Sequence, residues 1–204
     1  MKIVNKHILM ILILIMLVTL AACGGKEEST KVITDKSKIS LALEPVRQAL
    51  PRVFELQSGT ITEEFDGPNP WVKGETTFEK NADGKYLISV KTTNKDGSED
   101  KGSTPDAEKI TISYYPTNEF LEDRSSHATK LTINKKDNGT EYRLDSEYEP
   151  IKIPAGDIIS TDVYSIILID KNGIITQNVT HFKRQLGTEI IENYTKTILT
   201  GYTL

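Results

Sequence analysis

The chain predicts a mainly β fold of the α+β kind: an antiparallel sheet of about nine strands behind one N-terminal helix. Three observations point there. From Thr60 onward, Thr, Val, Ile and Tyr dominate short runs of strand length, the residues that suit a pleated, half-buried surface. Three intervals between runs are four-residue turns ending in glycine: Asn81-Ala82-Asp83-Gly84, Lys136-Asp137-Asn138-Gly139 and Asp170-Lys171-Asn172-Gly173. Glycine there takes the positive φ of a tight hairpin, so the strands on either side pair antiparallel. Helix periodicity is convincing in one stretch, Ser40 to Gln57, and no repeat of fixed period suggests a propeller or solenoid.

In the helical stretch Val46, Leu50, Val53, Phe54 and Gln57 share helix-period positions, with Arg47, Gln48, Arg52 and Glu55 between them. Pro45 suits a first turn. Pro51 removes a backbone donor and predicts a kink or split, and Gly59 is read as the stop. The expected strands are Gly59 to Phe65, Glu75 to Lys80, Lys85 to Thr93, Lys109 to Tyr115, Lys130 to Lys135, Thr140 to Leu144, Val163 to Ile169, Ile174 to Phe182 and Glu189 to Thr200. Between them, Asp66 to Trp71 is rich in breakers and holds the only Trp. Asn94 to Asp106 reads as a polar loop, and Glu147 to Ser160, with Pro150 and Pro154, as an edge strand at most. Alternation in Lys109 to Tyr115 and Lys130 to Lys135 implies one wet face. Apolar residues on both sides of Val163 to Ile169 imply a strand covered twice.

The first 23 residues stand outside the fold. Lys2 and Lys6 precede an apolar run from Ile8 to Val18, too short to span a bilayer, and small residues follow it. The ending Leu20-Ala21-Ala22-Cys23, followed by Gly24 and Gly25, resembles the lipobox of bacterial lipoproteins. That resemblance implies diacylglyceryl attachment to Cys23, cleavage before it, and anchoring to the extracytoplasmic face of the cell membrane. Two acyl chains anchor stably where one does not. The expected organisation is a signal peptide over 1–22, a flexible lipidated tether over 23–38, and a single β-rich domain over 39–204. Gly24 to Lys38 reads as tether because it is nearly empty of large apolar side chains.

Composition excludes several function classes. The 204 residues hold 25 basic and 29 acidic side chains; without the signal's Lys2 and Lys6 the balance becomes 23 against 29, a net charge of −6. Such a domain has no general attraction for nucleic acid. Cys23 is the only cysteine, so no internal disulfide is expected, and His127 and His181 are the only histidines beyond the signal. The ligands for a zinc site of the usual kinds are missing, there is no Gly-x-Ser-x-Gly elbow, and no cofactor signature stands out. Gly97 to Ser103 mimics P-loop spacing but lacks the lysine after the second glycine. Asn94, Asp96, Ser98 and Asp100 alternate as calcium ligands do, with glycine misplaced. Glu63-Glu64 and Glu147 with Glu149 read as exposed strand charges rather than glycosidase acids. Ser125-Ser126-His127, read as strand neighbours on opposite faces, makes no nucleophile and base pair.

Lipobox, polar tether, an early helix ending in Leu56-Gln57-Ser58-Gly59-Thr60 and a long meander with the late hairpin Ile169-Asp170-Lys171-Asn172-Gly173-Ile174 are together similar to half-barrel lipoproteins. These are the periplasmic lipoprotein carriers and the mycobacterial lipid-binding lipoproteins. The resemblance implies a curved, open half-barrel around an apolar cavity for an acyl-chain ligand. The residues expected to line it are Val53, Phe54, Phe78, Leu87, Ile112, Leu131, Ile166 and Leu168. Two function classes follow: a lipid or hydrophobic-ligand binder, or a non-enzymatic surface interaction or sensing module with a filled core. An unfilled apolar cavity is the feature that separates them.

Overall fold

The computed structural model describes residues 29–68, 70–110 and 116–204. The signal segment, Cys23, Ile112 and most of the expected strand Lys109 to Tyr115 lie outside the described residues. The elements run β1 (Thr30–Ile33), α1 (Lys36–Ala42), α2 (Glu44–Ala49), a 3-10 turn (Leu50–Glu55), β2 (Ser58–Asp66), β3 (Trp71–Lys80), β4 (Tyr86–Asn94) and β5 (Glu99–Ala107). Then follow α3 (Asn118–Ser126), β6 (Ala128–Lys136), β7 (Gly139–Ser146), β8 (Ile151–Ile153), β9 (Gly156–Asp170), β10 (Ile175–Leu186) and β11 (Glu189–Thr203). Among the described residues eleven strands form one antiparallel sheet in the order β1-β6-β7-β9-β10-β11-β2-β3-β4-β5, with β8 added to β9. Among the described residues the sheet is open, with β1 and β5 at the ends of that order.

The helical stretch forms, but in three pieces. Asp35 caps α1, its Oδ1 accepting from the Ser37 amide at 3.0 Å and the Ser37 hydroxyl at 2.7 Å. These bonds, led by the one from the Ser37 side chain, hold the Asp35 carboxyl below its ordinary range. Pro45 opens α2 and Pro51 opens the 3-10 turn, each where a missing N–H costs least. Val46 and Val53 are fully buried and Leu50 nearly so, as the period requires, whereas Phe54 is half exposed. Gly59 is not the stop. It lies inside β2, where a Cβ would come within 2.7 Å of Cζ of Phe78, so its bare backbone makes room for that ring.

This helical segment crosses one face of the sheet. Ile39, Leu43, Val46 and Leu50 pack with Leu131, Leu144, Ile167 and Leu121, while Val53 and Leu56 pack with Ile61, Phe78, Tyr86 and Leu199. Tyr86 Oη donates to the Leu56 carbonyl at 2.8 Å, satisfying a buried group where the segment hands over to β2. The Asp170 to Gly173 turn ties in the other side. Asp170 Oδ1 accepts from the amides of Asn172 and Ile174 at 2.9 and 3.0 Å, and the Asn172 carbonyl accepts from the Arg52 guanidinium. Gly84 and Gly173 have φ of 79° and 75°, as the hairpin reading demands.

Five further expectations need correction. Glu147 to Ser160 is more than an edge strand: it holds β8 and the start of β9, which from Gly156 pairs with β8 and from Ile158 also with β10. Thr30 to Ile33 is not tether: it pairs with β6 from Thr30 opposite Asn134 to Ile33 opposite Leu131, and α1 already starts at Lys36. One apolar side chain facing inward, Ile33, suffices to dock it. The Asn94 to Asp106 loop is a hairpin and a strand, β5, whose side chains are almost all exposed. A strand with polar residues on both faces has no alternation for a sequence pattern to find. Its turn is made locally, Asp96 Oδ1 accepting from the Ser98 amide and hydroxyl at 2.9 and 2.6 Å, with Gly97 at φ 83°. Trp71 starts β3 and packs on Phe65, ring centroids 5.2 Å apart. Finally α3 adds a helix, capped by Thr117, whose Oγ1 accepts from the Phe120 amide at 3.1 Å.

Candidate functional site

Of the eight residues expected to line a cavity, Ile112 lies outside the described residues, and the other seven are spread over two apolar clusters and the surface. Val53, Phe78 and Leu131 are buried in the two apolar clusters, and Phe54 and Leu87 are about half exposed. Ile166 and Leu168 take the face opposite Ile167 and Ile169, because strand neighbours alternate. There they are half-buried, not part of the core. β9 is thus covered on both faces as its composition implied, but by different neighbours: Ile167 and Ile169 by the helical segment, Ile166 and Leu168 by the cross-strand side chains of β7 and β10.

Polar chemistry converges instead around the middle of β9. Asp162 has φ 52°, and the pairing of β9 with β10 shifts register between His181 and Lys183. This bulge re-aims the side chains around it. On the outer face His181 is nearly buried. Its Nδ1 lies 2.8 Å from the Asp162 carbonyl and its Nε2 lies 2.8 Å from Glu192 Oε1. The His181 contact is the largest of the effects that hold the Glu192 carboxyl below its ordinary range, aided by Lys183. Tyr164 stacks on His181 at 4.8 Å, and the Arg143 guanidinium covers Tyr164 at 4.2 Å from the ring centroid. Arg143 also donates to Asp145 Oδ1 at 2.9 Å, while Lys130 Nζ sits 3.0 Å from Oδ2. The shallow groove over these groups has a volume of about 460 Å³. Every charge named in it has a partner, so it reads as a cross-strand ladder that fixes the sheet.

A second groove, about 450 Å³, lies between α3 and the strands β8, β9 and β10. Arg124, His127 and Tyr148 form one wall, Ile151, Val163 and Phe182 an apolar floor, and Arg184 the far side. His127 stacks on Tyr148 at 4.2 Å, and Tyr148 Oη donates to Asp123 Oδ2 at 2.5 Å. Burial first, then this bond, pushes the Tyr148 phenol up to about 12. Ser126 and His127 end a helix rather than lie on a strand, and Ser126 Oγ comes 3.0 Å from His127 Nδ1. They still make no catalytic pair. Both approach the Asp123 carbonyl, at 2.8 and 3.0 Å, and the serine hydroxyl that donates there is not donating to Nδ1.

The other sequence candidates resolve simply. Glu63 and Glu64 are strand neighbours on opposite faces, Glu63 buried and Glu64 exposed, so they form no carboxylate pair. Among the described residues no group of three or more His, Cys, Asp or Glu is placed to hold a metal ion. Sequence reading missed the groove between α3 and β8–β10, because Arg124, Tyr148 and Arg184 are brought together only by the fold. The one local signal was the pair of arginines beside aromatic residues, Arg124 near Phe120 and Arg184 near Phe182.

No protein-family model matches the chain, and no curated protein matches it. Among solved structures the chain is similar to the crystal structure of a bifunctional dehydratase-cyclase domain in ambruticin biosynthesis. The identity is 10% over 83% of this chain and 82% of that one. The TM-score is 0.16, too low for the likeness to carry an argument about activity.

Proposed function

We propose that the chain is a lipid-anchored protein of the extracytoplasmic membrane face whose domain is a non-enzymatic recognition or sensing module with a filled interior, not a carrier of acyl chains. Anchoring through Cys23 rests on the Leu20-Ala21-Ala22-Cys23 motif. The observation that carries the rest is the helical plug. Ile39, Leu43, Val46 and Val53 have no exposed surface, and the void between Val53, Ile61, Asn178 and Leu199 is about 10 Å³. That is room for roughly one water, whereas a carrier must leave a continuous apolar channel.

Native mass spectrometry of the protein extracted from the membranes of a bacterial host tests both halves. The expected mass is that of the processed chain with its diacylglyceryl group and no further lipid. A second lipid bound one to one would overturn the filled module, and a mass without diacylglyceryl would overturn the anchor.

A further inference from the structure

The groove between α3 and β8–β10 differs from the one over His181 in that its two arginines form no ion pair among the described residues. Arg124 and Arg184 both line it, and among the described residues neither has a carboxylate within ion-pair distance. Both guanidiniums are held in place by stacking: Arg184 lies 4.7 Å from the Phe182 ring centroid, and Arg124 lies 5.3 Å from that of Phe120 and 5.7 Å from that of Tyr148. Arg124 Nε is buried and Nη1 donates to Tyr148 Oη at 3.4 Å, a neutral acceptor that leaves the guanidinium charge without a counter-ion. Of the acids at the groove, Asp123 already accepts from Tyr148 Oη, and Glu149 lies at the exposed rim.

The apolar floor does not end with the groove. β7 pairs with β9 only as far as Ser146 opposite Val163, and β2 reaches β11 only at Tyr194. Beyond those points β8, β9, β10 and β11 continue as a ribbon. Across it Ile151, Ile158 and Leu186 stand opposite one another, with Ile153 and Ile191 on the same face. Ile151 is 58% exposed and Ile191 39%. From Val163 back to Gly156 the strip is about 23 Å long at the usual rise of about 3.3 Å per residue. A small anion would use the arginine end and leave the isoleucines wet. An extended peptide of about six to eight residues, at about 3.3 Å each, covers both.

We propose that this groove and strip dock an extended segment of a partner protein in which acidic side chains meet Arg124 and Arg184 while alternate apolar side chains lie on Ile151, Ile158 and Leu186. This deepens the recognition reading above and rests on it. That reading is tested in the interior and this one on the ribbon, so each can fail alone.

The experiment uses the full chain, reconstituted and immobilised in phosphatidylcholine nanodiscs. Two pools of N-acetylated octapeptides are passed over it, one alternating Asp or Glu with Leu, Ile, Val or Phe, the other with Lys or Arg in place of the acids. The acidic pool is expected to be retained and the basic pool not. Arg184→Gln and Ile151→Ser, both at exposed positions, should each weaken retention about tenfold with an unchanged melting temperature, as loss of one charge-assisted or apolar anchor does. Equal retention of both pools, no retention of the acidic one, or indifference to both substitutions would overturn the proposal. So would saturation of the groove by millimolar inorganic phosphate without peptide retention, which marks an anion site only.

Discussion

Leu131 sits where a carrier and a filled module make opposite demands. It is fully buried on β6, opposite Ile33 of β1 and Leu144 of β7, and shares a cluster with Ile39, Leu43, Leu121 and Ile167. Neighbours close it in from the sheet, from α1 and from α3, so an indole there has no space to enter. Leu131→Trp should therefore destabilise the domain by about 1 to 3 kcal/mol through overpacking. Leu131→Ala should cost about 2 to 5 kcal/mol from lost transfer energy and the cavity left behind. Urea unfolding followed by circular dichroism reads both. With a slope of about 1 to 3 kcal/mol per molar, a loss near 2 kcal/mol moves the midpoint by about 1 M. A packed core penalises both directions of change. If Leu131→Trp leaves the midpoint where it was, and a co-purified lipid disappears in that variant, the interior is a cavity and the argument from burial fails.

Further expectations concern the N-terminal end of the chain and one tyrosine. Cys23→Ala should leave unprocessed, unlipidated precursor, detected by labelling with a radioactive fatty acid; normal cleavage and membrane retention in that variant would remove the lipoprotein reading. Deleting Gly24 to Glu28 should leave the melting temperature unchanged. Extending the deletion through Ile33 removes β1 and the buried Ile33 side chain and should cost about 1.5 to 3 kcal/mol; equal stability of the two deletions would show that β1 contributes nothing. Tyr148, half-buried and bonded to Asp123, has its phenol raised above the unfolded value of about 10. The neutral form is favoured in the folded state, so its stabilisation is complete below about pH 10 and is lost as pH rises toward about 12. Ultraviolet titration should show a late phenolate step that Tyr148→Phe removes, and an identical titration in the two proteins would contradict it.

The patterns that stand in the sequence are the ones that depend on neighbours along the chain. Hairpins at Gly84, Gly139 and Gly173 follow from local turn chemistry. The split of the helical stretch follows from Pro45 and Pro51, and β2, β3, β4, β6, β7, β10 and β11 end within four residues of expectation, whereas β9 begins at Gly156, seven residues before the expected Val163. The lipobox is likewise local, and with it the proposed anchoring. What alternation did not carry was missed. β5 is polar on both faces, β1 buries one side chain, and α3 has a single buried residue, Leu121. The tertiary structure alone decided the interior and the site. An amphipathic segment such as Ser40 to Gln57 can cap a cavity or fill it, and only its docking across two clusters brings Val46 and Val53 to complete burial. The apolar residues of β9 alternate in any register, but the sheet order decides that Ile167 meets the plug and Ile166 the outer face. Between Arg124 and Arg184 the chain runs through β6, β7, β8 and β9. The two share a groove because β8 pairs beside β9 and α3 packs near β7, a juxtaposition produced by long-range packing that no periodicity encodes.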